Sequence, residues 1–268
     1  MRDPHVRPIW KGSISFGLVS IPVRLYAATG RKDPKFNYLH AECGTPVRYL
    51  KWCPHCGKEV PPQEIALGFE FEKDRYVLLE DEDLEALPAA ATRNIAILDF
   101  VDMADIDPVF FDRAYYLEPA DGAARPYALL RRAMLDSGKV GVARVAIRAK
   151  ETLAAVRVYG PALLMETMFW PDEVRDVSAL ELEARIEPDA RELEMATTLI
   201  GMLSTDFDPS RYRSERRDRL FEMIRAKIEG REVAAPPPEP SKVVDLMEAL
   251  KRSIAAAGGG RGPEAANA

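Results

Sequence analysis

The stretch Lys139–Gly160, KVGVARVAIRAKETLAAVRVYG, constrains the fold more than any other part of the chain. Residues 140–149 and 152–158 read as two strands, with Lys150–Glu151 at the bend between them. Successive side chains on a strand point to opposite faces. By that alternation Arg144, Arg148 and Lys150 share one face, and Val145 and Ile147 take the other. One side of the pair is therefore expected to be buried and the other cationic.

Other strands are expected on either side of it. Ile9–Phe16, a Gly17–Pro22 loop and Val23–Ala27 form a strand–loop–strand start punctuated by Gly and Pro. Tyr76–Leu79, Ile95–Val101 and Ala114–Leu117 are further strand candidates, and Asp81 is suited to cap a short helix through Leu87. Tyr127, Leu130 and Met134 recur at helical spacing and predict a helix over 126–137.

Beyond about residue 190 the pattern turns helical. Leu193, Ala196, Leu199, Ile200 and Leu203 repeat on one face. Asp208–Pro209 reads as the start, and Gly230 as the stop, of a second helix lined by Leu220, Ile224 and Ile228. EVAAPPPEP then forms a semi-rigid linker. Ser241 is placed to cap a short amphipathic helix carrying Val243, Met247, Leu250 and Ile254, and the Gly- and Ala-rich residues from Ala255 onward read as disordered. Strands first and helices afterwards make the fold class α+β.

The 268 residues carry a formal charge of −6, which argues at first sight against a nucleic-acid partner. The total hides an alternation: +5 over residues 1–69, −11 over 70–121, +6 over 122–157, −9 over 158–210 and +4 over 211–231. A fold that gathers the basic blocks on one surface presents a positive face on an acidic protein; scattered solvated charge is the alternative. No apolar run approaches the roughly 18 residues of a membrane helix. The N-terminus has no signal-peptide core, and three cysteines make no disulfide scaffold, so a cytoplasmic, nucleoid-associated protein is expected.

All three cysteines fall in one constellation. His40, Cys43, Cys53 and Cys56 form H-x2-C…C-x2-C, two close pairs of ligands suited to tetrahedral zinc, with His55 as an alternative donor. Four protein ligands leave no position for water, so such a zinc would be structural. A redox pair at Cys53 and Cys56, without a surrounding βαβ pattern, and a degenerate site holding no metal are the other readings. The chain has no G-x-G-x-x-G, no Walker loop and no H-E-x-x-H, so no nucleotide cofactor is expected. Ser13–Gly17 lacks the first Gly of a nucleophile elbow, and no histidine is placed to serve a triad. No catalytic residue is assigned, and the chain is not expected to be an enzyme.

PIWKGSISFGLVSIPVRLYAAT at the start resembles the N-terminus of bacterial Ku, the DNA-end-binding protein of non-homologous end joining. LHAECGTPVRYLKWCPHCGKEV, DEDLEALP, ILDFVDMADIDPVFFDRAYYLEP, WPDEVRD and FDPSRYRSERRDRLFEMIRAKIEG follow in the family's order, covering residues 7–230. The resemblance implies a homodimeric ring around double-stranded DNA ends, built from a Ku-type β-barrel core with DNA-encircling strands and a C-terminal helical arm. It needs no ATP and recruits an ATP-dependent ligase, ligase D.

On that reading residues 1–190 are the barrel core, with a zinc-ribbon-like insert at 40–56 and DNA-bridging strands at 140–158. Residues 191–230 are the arm, 231–241 the linker and 242–268 the final helix and tail. Arg144, Arg148, Lys150 and Arg157 are the expected phosphate contacts. Lys11 and Arg24 are further candidates, either of which an acid near the barrel can pair. VVDLMEALKRSI resembles the family's ligase-recruiting segment and points to Val243, Leu246, Met247 and Leu250; docking of this helix on its own chain is the competing expectation. The end GGGRGPEAANA departs from the family's Lys-rich extension. A zinc-ribbon scaffold of another complex and a hydrolase using the acidic loops are the rival functions.

Overall fold

The computed structural model describes residues 7–80, 83, 93–147, 150–180, 182, 187–231 and 246–258, and for 246 and 256–258 the backbone alone. Two compact units meet in the chain between Val177 and Ser178.

In the first unit seven strands close a barrel. They are β1 (Trp10–Phe16), β2 (Val19–Ala27), β7 (Asn94–Asp102), β8 (Phe111–Pro119), β9 (Lys139–Ile147), β10 (Lys150–Tyr159) and β11 (Ala162–Met168). Their order is β1-β2-β8-β11-β10-β9-β7, and β7 returns to β1 through the one parallel seam, Ile14 opposite Ile95. Closure leaves no exposed sheet edge. Alternation along each strand fills the interior with Ile14, Ile21, Leu25, Ile95, Val145, Val156, Leu163 and Met165, all at most 1% exposed. Each such side chain contributes roughly 1.5–3 kcal/mol by leaving water.

Helix α1 (Ala124–Ser137) plugs one end of the barrel with Tyr127, Leu130 and Met134, and Gly138 ends it in the left-handed conformation, φ 67°. The Tyr127 hydroxyl donates to the Leu117 carbonyl at 2.6 Å and accepts from the Leu163 amide at 2.7 Å. It fastens helix, β8 and β11 at one buried point. A smaller apolar cluster lies on the outer wall, where Val140, Ala155 and Met168 are covered by Ile106, Phe110 and Phe111.

The paired stretch 139–159 departs from its expected geometry in two respects. Its bend comes earlier, with Lys150 opposite Ile147 and Glu151 opposite Ala146, so Lys150–Glu151 lies inside β10. Cross-strand partners share a face. Lys150 therefore sits on the side of Ile147, not on the side of Arg144, and the single-strand parity fails across the turn. Moreover, β9 bonds to both β7 and β10, and β10 to both β9 and β11. β9 and β10 are barrel wall rather than strands free to bridge.

The segment that leaves the barrel lies between β2 and β7. It holds β3 (Trp52–Cys53) paired with β4 (Lys58–Glu59), and β5 (Leu67–Glu72) paired with β6 (Arg75–Leu79). The Tyr76–Leu79 expectation falls in β6. The expected Asp81 helix lies outside the described residues apart from Asp83.

The second unit contains α2 (Ala190–Leu203), α3 (Glu215–Ile228) and α4 (Leu246–Gly258). Asp189 caps α2, accepting from the amides of Arg191 and Glu192. The expected helix from Asp208 to Gly230 is two elements. Asp208 caps only a short 3-10 turn, Pro209–Arg211, and the Ser214 hydroxyl accepts from Arg217 to start α3 afresh. Gly230, at φ 71°, ends it as expected. Helix α4 packs on α2 and runs to Gly258, so Ala255 is helical rather than the start of a disordered tail.

Candidate nucleic-acid interface

The outer face of β1, β7 and β9 is built from residues whose neighbours in sequence point into the core. Arg144 stands exposed beside buried Ala143 and Val145, opposite Ala96, which is itself opposite Ser15. Ser13, Ser15 and Asn94 join along the parallel seam, Asn94 Nδ2 donating to Ser15 Oγ at 2.6 Å. Lys11 is exposed on β1, and Arg93 immediately precedes β7, its carbonyl accepting from the Ser13 amide at 3.0 Å. Lys11, Arg93 and Arg144 make no ion pair with the described residues. The result is a wall of short hydroxyl and amide side chains edged by uncommitted cations, a surface suited to phosphate oxygens.

The other expected contacts are placed differently. Arg157 shares the outer face with Arg144 but is spent on Glu166, at 2.6 and 3.3 Å, and its guanidinium lies 5.5 Å from the Tyr159 ring centre. Arg24 bonds Asp121 at 2.9 Å and approaches Glu118 at 3.5 Å, as its pairing alternative anticipated. Asp121 first, and Glu118 after it, hold that guanidinium above its ordinary range. Lys150 is 3.5 Å from Glu173, whose carboxyl is lowered mainly by the Trp170 amide and further by Lys150. Arg148 lies outside the described residues. Of the six expected contacts, Arg144 and Lys11 thus remain uncommitted.

Sequence reasoning missed Arg93, which has no strand periodicity of its own to mark it. It also passed over Arg31, Lys32, Lys35, Arg48 and Lys51 in the 28–93 segment, all exposed and without an ion pair among the described residues. The net charge of +5 over residues 1–69 was their only signal.

The cysteine constellation forms two turns. His40 Nδ1 lies 3.2 Å from Cys43 Sγ, and the Cys56 amide points at Cys53 Sγ from 3.5 Å. Bonds from Thr45 lower the Cys43 thiol, and those from Cys56 lower Cys53. Among the described residues no three His, Cys, Asp or Glu side chains surround one point at metal-binding range. On α4, Met247 and Leu250 are half-buried, Leu246 is described by its backbone alone, and Val243 lies outside the described residues.

A family model described as the Ku70/Ku80 beta-barrel domain matches residues 15–195. Three proteins named non-homologous end joining protein Ku are similar along nearly the whole chain. The one from Symbiobacterium thermophilum is 54% identical over 94% of this chain and 63% of its own length, so the match spans under two thirds of that protein. The Heliobacterium modesticaldum protein is 48% identical over 93% of this chain and 91% of its own. The Bacillus subtilis protein is 41% identical over 94% and 82%. Among the described residues no helix is long and apolar enough to cross a membrane.

Proposed function

The chain belongs to the Ku family of bacterial non-homologous end joining proteins, and on that premise we propose that it is a ring-forming homodimer that threads onto the ends of duplex DNA without reading sequence. The observation that carries this reading is the closed barrel with Lys11, Arg93 and Arg144 uncommitted on its outer wall. A ring that slides must hold phosphates through many modest electrostatic contacts and avoid base edges. The segment between β2 and β7, in which Arg31, Lys32, Lys35, Arg48, Lys51 and Lys73 are exposed and without an ion pair among the described residues, supplies the crossing over the duplex.

Two features support the dimer. On α2, α3 and the connection between them, Leu193, Ile200, Leu203, Phe207, Tyr212 and Ile228 are each more than half exposed. Such side chains on helical arms suit burial against a second copy. The β5–β6 pair exposes Phe69, Phe71, Tyr76 and Leu78. A lone two-stranded pair is marginal in water, so it too calls for a partner.

The protein acts as a scaffold, needs no nucleotide, and passes the end to an ATP-dependent ligase, ligase D, through α4. Competition distinguishes threading from general binding. Protein on a short linear duplex at about 0.1 M salt, where surface charge is moderately screened, is challenged with closed circular plasmid or the same plasmid linearised. Linear DNA should compete and the circle should not; equal competition overturns the threading reading.

A further inference from the structure

A groove of about 560 Å³ runs along α1 at the plugged end of the barrel. Pro126, Leu129, Ala133 and Ser137 line it from the helix, and Phe16, Val19 and Phe100 line it from the facing strand ends. Leu130 and Met134, both buried, form its floor. Positions three and four apart share one helix face. From Pro126 to Ser137 that face rises about 16 Å, three helical turns.

The lining is apolar and faces water. Leu129 is 71% exposed, Phe100 44% and Val19 41%, and Leu18 at the hairpin tip is fully exposed. A contiguous apolar patch of this kind marks an interaction surface. A straight stripe several helical turns long suits an amphipathic helix, whose apolar anchors recur at i, i+3, i+4 and i+7.

The charges around the groove give one end a sign. Lys139 pairs with Asp102, and Arg132 with Asp136, each at 2.8 Å. Arg125, beside Pro126, is exposed and makes no ion pair with the described residues. No side chain caps α1, and its first turn holds no acid. Its first backbone bond runs from the Tyr127 amide to the Ala123 carbonyl, so the amides ahead of that bond lie at the positive end of the helix dipole. The Pro126 end is therefore positive. A second copy of the chain would bring the same rim, with Asp102 and Asp136 already paired.

We propose that this groove receives an amphipathic helix of another protein, with large apolar side chains along one face and a carboxylate at the end that meets Arg125. The groove lies in the first unit, whereas α4 belongs to the second. It uses none of Lys11, Arg93 and Arg144, so it goes beyond the end-binding reading and does not rest on it.

The full chain is titrated against two labelled synthetic helices and followed by fluorescence anisotropy. Both carry leucine at i, i+3, i+4 and i+7; one has glutamate at both ends, the other lysine. The glutamate helix should saturate, and the lysine helix should bind more weakly by about fivefold. The chain's net charge of −6 would favour the lysine helix if binding were unspecific. Leu129→Asp should weaken the glutamate helix by roughly tenfold or more, because a charge then enters the apolar contact. Its melting temperature should match wild type, since Leu129 packs little in the free chain. Arg125→Glu, a change at an exposed position, should reverse the preference between the two helices and keeps the test open should Leu129→Asp fail to fold. Absence of saturation by the glutamate helix, equal or tighter binding of the lysine helix, or wild-type affinity in Leu129→Asp would each overturn the proposal. Self-association of the wild type that Leu129→Asp abolishes would give the groove to a second copy and overturn it too. No DNA enters the titration, so its failure leaves the end-binding reading standing.

Discussion

The indole Nε1 of Trp10 donates to the carbonyl of Ala146 at 3.1 Å, across 136 positions of sequence. The bond joins β1 to β9 beyond the point where β7 begins, and so latches the open end of the parallel seam. Gly12 makes room for it. A Cβ there would stand 2.2 Å from both the Trp10 ring and the Arg93 carbonyl.

Gly12→Ala should therefore displace the indole or the start of β7. Overpacking of this kind costs about 1–3 kcal/mol. Urea unfolding should show a lowered midpoint with an unchanged slope. Full stability in the variant would mean that the latch is dispensable.

Tyr127→Phe keeps the packing of α1 on the barrel and deletes both hydrogen bonds of the hydroxyl. It leaves the Leu117 carbonyl and the Leu163 amide without that partner, at a cost of about 1–3 kcal/mol. Denaturation should record the loss, with linear-duplex affinity unchanged at temperatures where the variant is folded.

Arg144 and Arg157 lie on the same outer face and should behave differently. Arg144→Ala should weaken duplex binding evenly across sequences and reduce the slope of log affinity against log salt by about 1. Arg157→Ala should leave that slope nearly unchanged. It strands Glu166, whose side chain is only 17% exposed, and should instead lower stability by about 1–2 kcal/mol. Titrations at three salt concentrations, together with melting curves, separate the two.

Glu173 gives a pH test. Its carboxyl is lowered in the folded state, first by the Trp170 amide and then by Lys150. The unfolded chain therefore binds its proton more readily than the native one, and stability rises with pH through that window. The contribution is present above the ordinary carboxylate range and lost as pH falls through the lowered folded value. Glu173→Gln should be less stable than wild type at pH 7, and the difference in melting temperature should shrink toward zero in strong acid.

Met247→Asp/Leu250→Asp should leave end binding intact, because α4 belongs to the second unit and Lys11, Arg93 and Arg144 belong to the first. It should weaken stimulation of ligase D. Undiminished stimulation would place the recruiting surface elsewhere and leave α4 a structural partner of α2.

Much of the barrel was legible from local pattern. Ile14, Ile95 and Val145 declare inward faces by alternation, and Tyr127, Leu130 and Met134 declare the plug by helical spacing. Boundaries failed where a short side chain made the decision: the Ser214 cap splits one expected helix into a turn and α3, and no periodicity marks it. The candidate interface was only partly legible. Arg144 could be oriented from Val145 beside it, whereas the involvement of Arg157 with Glu166 requires β10 and β11 to be in register.

The sequence by itself determined which residues alternate, where Gly and Pro interrupt them, that three cysteines share one segment, and which family the motifs resemble. These are short-range properties, set by backbone sterics and side-chain period. Only the tertiary structure decided that β9 and β10 close a barrel wall, that the excursion lies between β2 and β7, and that among the described residues Arg24, Lys150 and Arg157 have acids beside them while Lys11, Arg93 and Arg144 do not. Arg24 meets Asp121, and Lys150 meets Glu173, only when strand register brings together segments 97 and 23 positions apart. Register follows from closing the whole barrel around its core, which no local window contains.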